Sequence, residues 1–205
     1  KSFQKKQERL LRRLKKKFVI NFLSAQVKIS KIERQKKSNR RSSIYIDGMY
    51  RFSVTTDLLT KNDIHEGDEI TEEEIKNILL TDEKEKIRQR AFRILNFRDR
   101  SCQELSDRLV KLGYDQFLVD EVMHELAADG TLNDERFSRE FVSDYTKLNP
   151  RGNRFIANEL KKKGVAAESI ARVLSSRDEK ALARELLVTK FAGLDRNDPK
   201  EKAKI

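Results

Sequence analysis

The spacing of hydrophobic positions changes near residue 71, from every second residue to every third or fourth. Before that point, apolar and polar residues alternate on both sides of Asp47-Gly48, a dipeptide suited to a two-residue turn with positive φ. This pattern predicts a β-hairpin with Ile44 and Ile46 on one strand face, and with Tyr50, Phe52 and Val54 on one face of the partner strand. Segments 27–32 and 65–70 predict one further strand each, so residues 27–70 are expected to form a small β-rich module.

Beyond residue 71 every apolar segment has helical spacing. Thr71-Glu-Glu-Glu74 is a capping box, which predicts a short connecting helix over 71–81. Asp82 then predicts the start of the next helix. Ser101-Cys-Gln-Glu104 is a second capping box, and Gly113 is expected to end the helix that it opens.

The helical part contains an internal repeat with an offset of 51 residues. Arg100 corresponds to Arg151 and Gly113 to Gly164, and the apolar pairs are Leu105/Ile156, Leu109/Leu160, Tyr114/Val165, Val119/Ile170 and Val122/Val173. Seven matches in register predict tandem three-helix repeats, each of which closes its apolar stripe against a neighbour. We expect a mainly α protein, an elongated solenoid behind a small N-terminal β-rich module. Its helical part would comprise repeat 1 at 82–131, repeat 2 at 132–177 and a partial repeat 3 at 178–205.

The charge of the chain is concentrated at its N-terminus. The formal net charge is +11, but residues 1–41 hold 16 Lys and Arg and 2 acidic residues, whereas residues 42–205 carry a net charge of −3. An anionic partner is therefore expected at the N-terminal end. Residues 1–26 form a basic extension in which Leu10, Leu11 and Leu14 share a helical face, and it is either a nucleic-acid-binding arm or a disordered or non-native extension.

Two groups of basic residues are candidates for contact. The first lies beside Tyr45 and Tyr50, a combination that suits single-stranded nucleic acid, and consists of Lys28, Lys31, Arg34, Lys36, Lys37, Arg40 and Arg41. The alternative for this group is a charged edge strand that resists aggregation. The second group is a candidate for phosphate or partner contact, the alternative being a solvated helix face, and consists of Arg151, Arg154, Lys161, Lys162 and Lys163.

No set of residues in the sequence predicts catalysis. A glycine-rich phosphate loop is absent, and His65 and His124 are isolated, so no cofactor and no metal are expected. Asn133, Asp134 and Glu135 are interpreted as a helix N-terminus rather than an acidic site. Cys102 is the one cysteine, so it predicts a reducing, cytoplasmic setting, and a half-buried structural role is favoured over a reactive one. The apolar run at 18–23 is too short to span a bilayer, so no membrane contact is expected.

The helical part resembles the RecX family. The resemblance covers roughly residues 82–190 and is carried by Arg100-Ser-Cys-Gln-Glu-Leu-Ser-Asp-Arg-Leu109 with Gly113-Tyr114, by Leu126-Ala-Ala-Asp-Gly-Thr-Leu-Asn-Asp-Glu-Arg-Phe137, by Arg151-Gly152 and by Glu159-Leu-Lys-Lys-Lys-Gly164-Val165 with Ile170. The β-rich module is similar to the N-terminal extension of longer members. The resemblance implies a curved helical solenoid that lies in the groove of the RecA–single-stranded-DNA filament. It also implies restraint of the filament's ATP hydrolysis, strand exchange and repressor cleavage.

These observations leave three hypotheses. The first is a monomeric, non-enzymatic modulator of the RecA filament that also contacts single-stranded DNA, with double-stranded DNA left open as a further partner. The second is a stand-alone DNA-binding protein that acts through the basic N-terminal region. The third is a repeat adaptor for another protein. The residues themselves leave open whether a RecA modulator inhibits or activates, and which face it uses.

Overall fold

The computed structural model describes residues 26–36, 38–148 and 150–191. The predictions made for residues 1–25, for Lys37 and for residues 192–205 lie outside these ranges. The described residues divide into two compact units, the first comprising those of 26–96 with 108–125, and the second comprising 97–107 with those of 126–191.

The N-terminal module is a four-stranded antiparallel sheet in the order β3-β2-β1-β4. The strands are β1 (Gln26–Gln35), β2 (Ser38–Ile46), β3 (Met49–Thr55) and β4 (Glu69–Thr71). Asp47 and Gly48 both have positive φ, 52° and 75°, as the turn between β2 and β3 requires. The predicted hairpin, its turn and the two additional strands are therefore confirmed.

One side of the sheet forms a hydrophobic core with the helices that follow it. Ile44, Ile46, Phe52 and Val54 are buried there, as the alternating pattern predicted. The placement of Tyr50 on the same face was wrong, because its side chain is 53% exposed. A register irregularity between Ile44 and Tyr45 shifts the pairing by one residue, and such a bulge turns the next side chain to the opposite face of the sheet.

Two helices complete this core. Helix α1 (Thr56–Lys61) directly follows β3 and was not predicted, since six residues carry little periodicity. Helix α2 (Glu72–Leu95) begins with the predicted capping box, in which Thr71 Oγ1 accepts from the Glu74 N–H at 3.2 Å. The backbone hydrogen bond from Thr71 to the Glu74 carboxylate lowers the pKa of Glu74.

The prediction of two helices over 71–95 was wrong, because α2 is one helix of 24 residues. Asp82 lies inside it rather than at an N-terminus. No glycine or proline interrupts this stretch, so the backbone hydrogen bonds can continue past Asp82. Its carboxylate, 1% exposed, instead accepts from the backbone N–H of Thr55 at 2.9 Å. Asp82, which the sequence predicted at a helix N-terminus, therefore connects α2 to the end of β3.

Six further helices follow, and they show the predicted repeat. They are α3 (Cys102–Lys111), α4 (Gln116–Ala128), α5 (Asp134–Lys147), α6 (Asn153–Lys162), α7 (Ala167–Ser175) and α8 (Glu179–Phe191). Helices α3 and α6 begin and end 51 residues apart, at the predicted offset. The equivalent side chains Leu105 and Ile156 are both fully buried, as are Leu109 and Leu160. The tandem three-helix arrangement is thus confirmed, while the exact domain boundaries stay predictions.

In each three-helix repeat, the second helix is followed by a turn at a glycine with positive φ. Gly113 (φ 91°) donates its N–H to Val110 O at 2.9 Å, and Gly164 (φ 77°) donates to Lys161 O at the same distance. Glycine adopts positive φ at little cost, which explains its recurrence at this position.

The second helix of each repeat receives an acidic cap from farther along the chain. Asp134 Oδ1 accepts from the Cys102 N–H at 2.8 Å, and Glu179 Oε1 accepts from the Asn153 N–H at 3.0 Å. Both acceptors lie at or near the start of the first helix of the next repeat. Capping therefore links consecutive repeats and places a carboxylate at each positive helix end.

Candidate nucleic-acid and partner surfaces

An aromatic row crosses the face of the sheet opposite the core. Lys31, Tyr45 and Tyr50 are cross-strand neighbours on β1, β2 and β3. The two tyrosine rings meet edge-on with centroids 6.0 Å apart, and Lys31 Nζ lies 5.7 Å from the Tyr45 ring centroid. Glu33 accepts a hydrogen bond from the Tyr45 hydroxyl at 3.3 Å and pairs with Lys31 at 3.3 Å. Such a row offers ring surface for base stacking and a cation for phosphate.

Most of the first group of basic residues is exposed. Lys28, Lys31, Arg34, Lys36 and Arg40 all present their side chains to solvent on β1, β2 and the turn between these strands. Lys37 lies outside the described residues. These cations are free to meet phosphate oxygens without first being removed from a core.

Arg41 differs from the rest of its group. Its guanidinium Nη2 lies 3.2 Å from the carboxylate of the buried Asp82 and donates to the backbone oxygen of Ser53 at 2.6 Å. Lys86 Nζ approaches the same carboxylate at 2.7 Å. Arg41 therefore neutralises a buried charge, and the expectation of nucleic-acid contact is withdrawn for this residue. The pairing spans 41 residues of sequence, so no local pattern revealed it.

The second group of basic residues lies on and beside α6. Arg151, Arg154 and Lys161 are exposed, and Lys162 forms an ion pair with Glu159 at 2.6 Å. The guanidinium carbon of Arg151 lies 5.3 Å from the centroid of the Phe155 ring, which is 41% exposed.

Phe155 is a surface residue that the sequence reasoning missed. The available signal was the repeat itself, since Phe155 occupies the position equivalent to Glu104. An exposed aromatic residue in place of a carboxylate distinguishes the second repeat from the first.

Lys163 is partly buried in the second unit, with 22% of its side chain exposed. Its Nζ pairs with Glu104 at 2.9 Å and lies over the rings of Phe137 and Phe141, 5.9 and 5.6 Å from their centroids. Burial alone would raise the pKa of Glu104, but the hydrogen bonds and charges of Lys163 and Arg98 outweigh it and hold that pKa low. The expectation of partner contact is therefore withdrawn for Lys163.

The segment at 133–135 is a helix N-terminus, as interpreted. Asn133 Oδ1 accepts from the N–H groups of Glu135 and Arg136 at 3.0 and 2.9 Å. A side-chain hydrogen bond from Arg139 lowers the pKa of Glu135.

Cys102 is half-buried, as expected from the sequence. Burial of its thiol, followed by the nearby charge of Asp134, raises its pKa to about 11. A thiol that stays protonated at neutral pH is a poor nucleophile and a poor metal ligand.

Neither a metal site nor a membrane helix is found in the part of the chain that the structure describes. Within 26–36, 38–148 and 150–191, His, Cys, Asp and Glu form no cluster of three or more that could hold a metal ion. Over the same ranges, no helix has the length and apolar content needed to cross a bilayer.

A small sheet with an aromatic and cationic outer face, followed by tandem three-helix repeats, defines a class of multi-domain helical-repeat protein. Three family models match the chain in order: the regulatory protein RecX N-terminal domain at 27–71, the RecX first three-helix domain at 88–126 and the RecX second three-helix domain at 133–174. The chain belongs to the RecX family of regulatory proteins.

Several curated relatives named "Regulatory protein RecX" are similar in sequence. Those of Bacillus velezensis and Bacillus subtilis are 36% identical over 148 residues, which is 72% of this chain and 56% of each relative. One from Listeria monocytogenes is 33% identical over 155 residues, 76% of this chain and 58% of the relative. The matched part thus spans little more than half the length of these relatives.

Solved structures show the same fold. A crystal structure of regulatory protein RecX superposes with a TM-score of 0.66 at 24% identity, covering 87% of this chain and 89% of the other. The crystal structure of RecX from Lactobacillus salivarius gives a TM-score of 0.50 at 19% identity, over 60% and 83% of the two chains.

Proposed function

We propose that this chain binds the RecA filament on single-stranded DNA and inhibits its ATPase, strand-exchange and SOS coprotease activities. The observation that carries this proposal is the ordered match of the sheet module and both three-helix domains to the RecX family models. Repeats that present side chains at regular intervals suit a partner that is itself a repeating assembly. We further propose that the chain acts as a monomer in the cytoplasm without catalysing a reaction.

We also propose that the two parts of the chain meet different components of the filament. The exposed cations of the first group lie on β1, β2 and the turn between them, the strands that carry Lys31 and Tyr45 of the aromatic row, and this combination suits a single strand through phosphate pairing and base stacking. Residues 72–205 hold 27 Lys and Arg and 26 acidic residues, so the helical domains as a whole are near neutral and do not attract a polyanion. Their role would be to contact protein.

An ATPase titration tests the proposal. RecA-coated single-stranded DNA is titrated with the full chain while ATP hydrolysis is followed. We expect hydrolysis to fall at chain concentrations well below that of RecA. Unchanged hydrolysis and unchanged strand exchange across the whole titration would contradict the proposal.

The clustering of exposed cations on the sheet favours a second candidate, a DNA-binding protein that needs no RecA. Its test is binding of the full chain to single-stranded DNA at several salt concentrations. Each phosphate contact contributes about 0.7 to the slope of log K against log salt for a single strand. Lys31→Gln with Arg34→Gln should therefore lower the slope by about 1.4, whereas Lys163→Gln should leave it unchanged. Salt-independent binding would exclude this candidate.

A further inference from the structure

Two large hydrophobic side chains are exposed at equivalent positions of the repeat. Phe97 is 86% exposed and Leu148 is 81% exposed, the two highest values among the large hydrophobic residues that the structure describes. They are 51 residues apart, so each occupies the same place just after the first helix of its three-helix repeat. Single exposed apolar residues are common, but two at the same position of consecutive repeats indicate a shared role.

Acidic residues lie beside both of these side chains. Glu140, Asp144 and Leu148 follow one another at intervals of four along α5, so they share one side of the helix. The carboxyl group of Asp99, two residues after Phe97, lies within interaction distance of that of Glu140. The proximity of Asp99, followed by burial and the charge of Asp144, raises the pKa of Glu140, although the nearby charge of Arg136 acts in the opposite direction. The folded chain thus holds three carboxyl groups close together beside one cation, Arg136.

We propose that Phe97, Asp99, Glu140, Asp144 and Leu148 form a docking face for a basic protein surface that repeats along an assembly. We call this set the anchor face; all five residues belong to the second compact unit. The two hydrophobic side chains insert into equivalent apolar recesses of neighbouring partner subunits. Lysine or arginine side chains of the partner neutralise the carboxylates. The inference rests on the proposed function, in which the partner is the RecA filament.

Charge decides which kind of partner fits the anchor face. A nucleic acid would bring phosphates against Asp99, Glu140 and Asp144, and like charges placed together at an interface disfavour binding. A basic protein surface instead relieves the repulsion that already exists in the free chain. The exposed hydrophobic side chains supply apolar contact, which a phosphate backbone does not reward.

The test compares variants of the full chain for binding to RecA filaments assembled on single-stranded DNA. Phe97→Ser and Leu148→Ser should each weaken filament binding about tenfold, as loss of an interface anchor does. The double variant Glu140→Gln with Asp144→Asn should also weaken filament binding and should make that binding less dependent on salt. Val188→Ser is the matched control, because Val188 is also exposed, at 64%, on α8. None of these changes should alter binding to bare single-stranded DNA or the circular dichroism spectrum.

The outcomes separate the inference from the proposed function. If the unchanged chain binds the filament and the anchor-face variants bind equally well, the anchor face is not the docking surface and the proposed function stands. If the unchanged chain neither binds the filament nor affects its ATPase, both are refuted. Sedimentation of the chain alone provides the last comparison. A dimer that Leu148→Ser converts to a monomer would show that the occupant is a second copy, which overturns the inference.

Discussion

Replacing Asp82 by alanine removes a buried acceptor that contacts two basic side chains and one backbone N–H. Its carboxylate accepts from the Thr55 N–H at 2.9 Å and lies 3.2 Å from Arg41 Nη2 and 2.7 Å from Lys86 Nζ. Breaking a buried ion pair from one side costs about 3–5 kcal/mol, because the remaining charge stays desolvated. The Arg41 side chain keeps some contact with solvent, so we expect Asp82→Ala to lower the free energy of unfolding by about 3 kcal/mol. This is a large part of the 5–15 kcal/mol that typically stabilises a folded domain.

Asparagine at this position separates the hydrogen bond from the charge. Asp82→Asn keeps an acceptor for the Thr55 N–H but removes the ion pair with Arg41, so we expect a smaller loss of about 1–2 kcal/mol. Urea unfolding followed by circular dichroism gives the free energies, and hydrogen exchange shows whether the loss falls on β2 and β3. Glu85→Ala on the same helix is the control, expected within about 0.5 kcal/mol of the unchanged chain.

A double-mutant cycle with Arg41→Met completes the test. The two residues are in direct contact, so we expect a coupling free energy of about 1–3 kcal/mol. A loss below about 0.5 kcal/mol for Asp82→Ala, or additive effects in the cycle, would refute the claim that Arg41 is fixed by Asp82. Arg41 would then return to the group of nucleic-acid candidates.

Two further predictions concern the helical repeats. Gly164→Ala should lower the Tm of the chain more than Gly113→Ala does. Both substitutions strain a backbone with positive φ, but only at Gly164 would the new Cβ overlap the side chain of Gln103. Equal shifts in Tm would contradict this prediction. The Cys102 thiol should react slowly with iodoacetamide at pH 8, and its reaction rate should increase as the pH approaches its raised pKa of about 11. Asp134→Asn should shift this increase in rate to lower pH, because it removes a nearby negative charge. Fast reaction of the unchanged chain at pH 8 would show that the thiol is not held protonated.

The features that were predicted correctly from sequence are those encoded by local patterns. The turn at Asp47-Gly48 needs two residues with positive φ, and the sequence offers both in adjacent positions. The match between α3 and α6 follows from a repeated apolar stripe and a repeated glycine. In both cases the residues that determine the local structure are close together in the sequence.

The features that were missed depend on contacts between distant residues. Arg41 meets Asp82 across 41 residues, and Lys163 meets Glu104 across 59. Each of these cations stands at the end of a basic run, so the neighbouring residues predicted a solvated surface. In the structure Arg41 instead lies next to the buried Asp82, and Lys163 lies next to the partly buried Glu104. The bulge that exposes Tyr50 likewise depends on how β2 pairs with β3, which the alternation of residues in either strand does not specify.

These corrections sharpen the distribution of charge on the chain. Without Arg41, the first group keeps its cations on exposed positions of β1, β2 and the turn between them. Without Lys163, the second group keeps fewer exposed cations, while Asp99, Glu140 and Asp144 remain together as carboxyl groups beside Arg136. Contacts to phosphate weaken steeply as salt rises, whereas apolar contact through Phe97 and Leu148 does not. Salt should therefore weaken binding to bare single-stranded DNA more than binding to a protein filament, which is the behaviour expected if the sheet module contacts nucleic acid and the three-helix domains contact protein.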